Sequence, residues 1–357
     1  MYNKNISHNI PKFFAGANTG NGFISFYDTI FCEDDLSGLY IIKGGPGTGK
    51  STFMKKLGNV AATSGYNVAH YLCGSDSDSL DGIIISDTKG NRVGVIDGTP
   101  PHPKEFRSPG AAGDLLDFGQ FWDSKELEKE RSRIDELSKE KCKCFETAYK
   151  YLGAAKKIEF HTNDLAENFY LKEKAHSAIE RLFSVLNNKG ETKHIQLSGY
   201  TMNGFVQLTP EFEDRKDYVI YGNRNIANMI LSDIADHIKE NSISARISQS
   251  PVDMKQVDSI FLPESKIWIR YGSRDEPGEK YINTARFIDS DIMSVCRQKL
   301  RFGNKCRESL IEGAMKSLAS AKTYHFSLED IYKTYMDYDA LNVQSEIWYN
   351  EILSRLD

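Results

Sequence analysis

Hydrophobic positions fall into two regimes along this chain. In the first, short apolar runs alternate with polar, glycine-rich stretches. Leu39 to Lys43 is a brief apolar run ending at glycine, which predicts a buried strand. Lys50 to Thr63 reads as a helix. Tyr66 to Cys73 and Arg92 to Ile96 predict further strands, with glycine and aspartate marking the loops between them. Strands alternating with helices predict an α/β fold, a mostly parallel sheet with helices on both faces. The second regime begins at Ser124 and contains no proline as far as Leu186. Leu127, Ile134, Leu137, Phe145, Ala148 and Leu152 form one helical apolar set. A second helix is expected from about Asn163, carrying Leu165, Phe169, Ile179, Leu182, Phe183 and Leu186, with Lys157 to Thr162 as the turn. The region 124–187 therefore reads as a helical hairpin.

The whole pattern then recurs. Asn21-Gly22-Phe23 returns as Asn203-Gly204-Phe205, and Tyr40 to Gly44 returns as Tyr218 to Gly222. Asp81 to Ile85 matches Asp258 to Leu262. Ala148 to Tyr170 aligns without gaps on Ala314 to Met336. Matches in one order at nearly constant offset indicate a duplication with halves of about 1–190 and 191–357. The second half would carry its own hairpin over 291–356. Within it Ser327, with Asp330 three residues on, has the spacing of a helix N-terminus.

Composition narrows the class. The 357 residues include 40% hydrophobic and 27% charged residues, enough for an ordinary core. The formal charge of -5 argues against a protein whose main work is clamping nucleic acid. No apolar run approaches a membrane span, the N-terminal residues do not resemble a secretory signal, and six cysteines in so long a chain are no disulfide framework. A reduced, cytoplasmic protein is expected.

The candidate chemistry is concentrated at Gly44, Gly45, Pro46, Gly47, Thr48, Gly49, Lys50, Ser51 and Thr52, which satisfy G-x-x-x-x-G-K-[ST] between a predicted strand and a predicted helix. Glycines let the backbone wrap an anion with its N–H groups, and the helix N-terminus adds its positive end. Lys50 would place a charge on the β- and γ-phosphates, and Ser51 would offer a hydroxyl to Mg²⁺. Asp97, ending the run Val93 to Asp97, is the candidate second magnesium residue; Asp87 competes but precedes a turn. Asp76 and Asp78, in the loop after the second strand, are candidates to orient a water or an acceptor, or simply to cap that loop. His102 trails the Asp97 turn, and Arg107 is the nearest basic residue beyond it for an arginine finger in cis. The second half lacks this equipment: Asn228 stands where Lys50 is, Ala227 where Gly49 is, and Tyr271 near the position of Asp97. Arg224, Arg270 and Arg274 are its cations with a chance of reaching the first half's phosphates.

The glycine loop resembles that of the P-loop NTPases. Over essentially its full length the chain is similar to a family of ATPase-like proteins with two tandem P-loop halves. That resemblance implies a P-loop-type sheet and ATP as ligand, with Mg²⁺ beside it. Asp97-Gly98-x-Pro100 also resembles a turn of nucleoside monophosphate kinases, which usually follow it with arginine rather than Pro101-His102. The expected activity is Mg-dependent ATP hydrolysis at one site. Phosphoryl transfer to a small molecule and a nucleotide-gated interaction protein are the alternatives. No Asn-Lys-x-Asp guanine-reading sequence is present, which favours ATP. Acceptor, protein partner and oligomeric state are not legible.

Overall fold

The computed structural model describes residues 10–356 apart from 101, 102, 109, 185, 187 and 213. The first half begins with β1 (Lys12–Phe14), the hairpin β2 (Gly16–Thr19) and β3 (Gly22–Ser25), and the single-turn α1 (Tyr27–Ile30). Then come β4 (Gly38–Lys43), α2 (Lys50–Thr63), β5 (Asn67–Leu72), β6 (Leu80–Ser86), β7 (Arg92–Asp97) and β8 (Gly113–Asp117). Helices α3 (Ser124–Lys129), α4 (Arg131–Glu167) and α5 (Lys172–Phe183) close this half. The second half repeats the order as β9 (Thr192–Ile195), β10 (Ser198–Thr201), β11 (Gly204–Gln207), β12 (Lys216–Tyr221), α6 (Arg224–Glu240), β13 (Ala245–Gln249), β14 (Val257–Leu262), β15 (Ile267–Tyr271), β16 (Lys280–Asn283), α7 (Ser290–Thr334) and α8 (Tyr338–Ser354).

Each half contains a six-stranded sheet, ordered β1-β5-β6-β7-β4-β8 in the first and, read in the matching direction, β9-β13-β14-β15-β12-β16 in the second. The two sheets share one pairing scheme. Outer pairs are parallel, and a single strand, β6 or β14, runs antiparallel to both neighbours. The sheets are therefore mixed but mostly parallel. The antiparallel strand follows from short connections: β5, β6 and β7 are joined by tight polar loops, which permit hairpins but leave no length for a crossover helix.

Alternation along the strands sorts the core. Tyr40, Ile42, Val93 and Val95 pack with α2 and α8, whereas Leu39, Ile41 and Ile96 pack on the other face against Tyr27 and Phe31 around α1. Helices on both faces were expected. On the second face of the first sheet the α-helix contributing to this core, among the described residues, is this single turn, and in the second sheet Phe212 stacks on Phe261 and Arg215 lies over Trp268. No helix among the described residues is long and apolar enough to cross a membrane.

The hairpins differ from their expected form in two respects. Lys157 to Thr162 is not a turn: α4 continues to Glu167, and the chain reverses at Asn168–Leu171. No glycine or proline interrupts that stretch, and Ala155, Glu159, Thr162 and Ala166 keep a buried stripe at helical spacing. Likewise Ser327 lies inside α7, where its hydroxyl donates to the carbonyl of Thr323 (3.0 Å), a bond that lets serine sit mid-helix. The N-cap there is Asp337, whose carboxylate accepts from Ala340 N (2.9 Å).

The hairpins are also exchanged between halves. Helices α4 and α7 pack antiparallel: Asp123 N donates to Tyr335 O (2.9 Å) at one end and Leu171 N to Phe287 O (2.9 Å) at the other. Ala148, Leu152 and Ala155 meet Ile311, Ala314 and Leu318 along the seam. Beyond it, Leu341, Trp348, Tyr349 and Ile352 of α8 complete the core of the first half. Phe169, Ala175, Ile179 and Phe183, from the first half, complete that of the second.

Candidate functional site

The glycine loop joins β4 to α2 at the carboxyl end of the sheet, where open α/β sheets present ligands. Gly47 (φ +72°) and Gly49 (φ +93°) take left-handed conformations that other L-residues adopt only with strain, so the loop curls before Lys50 opens the helix. Thr48, fully buried, donates to Gly45 O (2.8 Å) and braces the curl from within. The ammonium of Lys50 folds back on the loop, donating to the carbonyls of Gly44 (2.9 Å) and Gly45 (2.6 Å). Strand β7 lies parallel beside β4 with Asp97 opposite Ile42, and this register brings Asp97 Oδ2 to 3.5 Å from Lys50 Nζ.

Asp97 is held in place on one side by Thr99, whose N–H (2.9 Å) and hydroxyl (2.6 Å) both donate to Oδ1. Its pKa is raised: burial dominates, the charge of Lys50 opposes it, and Asp81 on β6 adds to it. Two neighbouring acids in a partly enclosed site make a suitable surrounding for a cation. Lys43 pins the turn beyond Asp97, donating to Gly98 O (2.9 Å). Ser51 accepts from Leu80 N (2.9 Å), which leaves a lone pair on its hydroxyl oxygen, while Thr52 is exposed on α2. Magnesium that is shared with phosphates needs only one or two protein oxygens, and Ser51 and Asp97 fit that requirement.

The remaining sequence candidates divide. Asp76 is buried and accepts from Ser79 Oγ (2.7 Å) and from Asn203 Nδ2 of the second half (2.9 Å); Asp78 accepts from the same amide at 3.3 Å. These acids therefore brace their loop against the β10–β11 turn. Arg107 is held at the surface by a bidentate pair with Asp34 and is not brought to Lys50. Asp87 closes its own turn, accepting from Lys89 N (2.9 Å) and Asn91 N (2.8 Å). His102 lies outside the described residues.

Two features of the site had no sequence signal. First, the other half's hairpin covers the glycine loop. A Cβ on Gly45 would lie 2.6 Å from the Tyr332 ring, and one on Gly47 would lie 2.7 Å from Glu329 O. Tyr338 donates its hydroxyl to Gly47 O (2.7 Å). The Glu329 carboxyl is held down at about 2, chiefly by its bond from His325 and further by Lys333. Second, Lys141 on α4 is half-buried near Lys50, Cys73 and Glu329; burial lowers its pKa and Lys50 pushes in the same direction.

The second half differs in the way its residues dictate. Without the glycines, Asn223 caps a helix that starts at once at Arg224, and no curled loop forms. Tyr271 occupies the register of Asp97, opposite Ile220. A protein carboxylate fills the space beside Asn228: Glu159, 1% exposed, lies 3.2 Å from Arg307, 3.6 Å from Arg224 and 3.4 Å from Asn228. Arg224 thus lies against Glu159 of α4 in the first half, while Arg270 and Arg274 are engaged within the second half, with Asp217 and Glu276 and with Tyr221 respectively. By the alignment of Ala148 with Ala314, Arg307 is the counterpart of Lys141.

No protein-family model, curated protein or solved structure matches the chain.

Proposed function

We propose that the first half binds ATP with magnesium at the glycine loop and hydrolyses it, and that the second half has no equivalent site. The observation that carries this reading is the convergence of two elements: a glycine loop with two left-handed residues, and a neighbouring strand whose half-buried Asp97 stands 3.5 Å from Lys50. Loop N–H groups and the N-terminus of α2 would cradle the phosphates, and Lys50 would leave the carbonyls of Gly44 and Gly45 for phosphate oxygens. Ser51 and Asp97 would hold the magnesium ion, which supplies neutralising charge to the phosphate oxygens when bound. Lys141, half-buried and with no ion-pair partner among the described residues, would face the terminal phosphate as Arg307 faces the Glu159 carboxylate. Catalysis of this kind rests on positioning and charge.

The cover over the loop favours a second reading, in which nucleotide gates the hairpin α7–α8. Glu329, Tyr332 and Tyr338 stand on the glycines that would wrap the phosphates, so binding would be coupled to their position.

The test follows the label of γ-labelled ATP incubated with Mg²⁺ and the purified protein. The hydrolysis reading expects label in free phosphate, and none with Lys50→Ala of unchanged circular dichroism. Label retained in bound ATP, with altered protease cutting of α7–α8, would support gating. Absence of ATP binding by the natural protein would overturn both.

A further inference from the structure

The second half contains a cavity of about 600 Å³ at the carboxyl ends of β12 and β15, in the place that Lys50 and Asp97 occupy in the first half. Its chemistry is inverted. The register of Asp97 is taken by Tyr271, and the carboxylate that would share a magnesium ion is missing at that position. Cations come instead from Arg224, Arg270 and Arg274, with Tyr221 and Tyr271 beside them. We propose that this cavity binds a phosphorylated metabolite the size of a nucleoside mono- or diphosphate, through guanidinium groups and without magnesium.

The guanidinium groups are unequally committed. Arg270 meets Glu276 and Asp217 through its terminal nitrogens, leaving Nε buried with no hydrogen-bond partner. Arg224 Nε is likewise without one; Glu159 lies beyond bonding distance at 3.6 Å. Arg274 donates to the Tyr221 hydroxyl (3.1 Å), lies over its ring, and makes no ion pair among the described residues. Planar forks of this kind match phosphate oxygens in pairs. Phosphate by itself would leave most of the volume unfilled, whereas a base stacked on Tyr221 or Tyr271 would use it. Asp258, in the wall, is half-buried; burial raises its pKa, and Ser198 and Arg224 act against that rise.

The experiment titrates AMP, ADP and inorganic phosphate, in EDTA, into the Lys50→Ala protein by calorimetry. The proposal expects saturable binding of AMP or ADP at one site per chain. Arg274→Ala should weaken it at least tenfold, and Arg274→Lys should restore only part. Arg274 is exposed, so its loss leaves the core untouched. A parallel titration of the natural protein in EDTA guards against misfolding of the Lys50 variant. Binding of none of the three, binding of phosphate alone, or affinity unchanged in Arg274→Ala would each overturn the proposal. Because magnesium and Lys50 are both absent, these outcomes leave the ATP reading of the first half untouched.

Discussion

Lys50 opens α2 and Lys141 stands on α4, near enough for the charge of the first to depress the pKa of the second. On the proposed ATP reading, a cation facing only the terminal phosphate would distinguish ATP from ADP, whereas Lys50, at the heart of the loop, would contact what both ligands share. Lys141→Ala should therefore weaken ATP binding about tenfold or more and leave ADP binding nearly unchanged. Equal loss for both ligands would assign Lys141 to the fold instead. His70 supports a prediction about acid. Burial against α2, with Lys12 and Lys55 adding to it, depresses its pKa to about 4, so the folded protein holds it neutral. The unfolded chain binds that proton near pH 6.5. Stability from this group is thus complete above about 6.5 and declines as pH falls toward 4. Denaturation midpoints of His70→Gln should show a flatter slope across that window. Lys50, Ser51 and Asp97 could be singled out from sequence because the glycine motif and the end of an apolar run mark their places along the chain. Lys141 carries no such signature, since only packing brings it there.

Among the elements, the glycine loop is the most tightly specified. Gly47 combines a left-handed backbone with a neighbour that would stand 2.7 Å from an added Cβ. Gly47→Ala should cost about 1–2 kcal/mol from the backbone alone and shift the end of α7 as well. A lowered melting temperature and easier proteolysis near Glu329 would show both effects. The hairpins were legible as helices from periodicity, yet their turns were misplaced. Periodicity reports which face is buried, and a stripe that changes partner along one long helix looks like two helices. Strand β6 was not predicted as a strand at all: Asp81 to Ile85 stood out as a repeated segment, and its antiparallel direction depends on the length of its loops.

In the whole molecule, neither half owns its core. Burying Leu341, Trp348, Tyr349, Ile352 and Leu356 of the second half against the first contributes about 1.5–3 kcal/mol each by area, a sum comparable with the ~5–15 kcal/mol by which a protein is stable at all. Residues 1–190 produced alone should therefore lack a cooperative thermal transition. Mixing with residues 191–357 should restore it, and a folded first half in isolation would contradict the exchange of hairpins.

Local sequence determined the duplication, the strand–loop–helix unit at Lys50 and the loss of that loop at Asn228. Backbone conformation at glycines, helical period and strand alternation act over a few residues, so they can be read directly. Only tertiary structure decided that each hairpin covers the other half's sheet. It also decided that Glu159 lies beside Asn228 and Arg307 while Lys141 lies near Lys50, and that three arginines line a cavity where Tyr271 takes the register of Asp97. These arrangements depend on contacts between residues far apart in the chain, whose side chains look like any solvated helix face until packing brings them together.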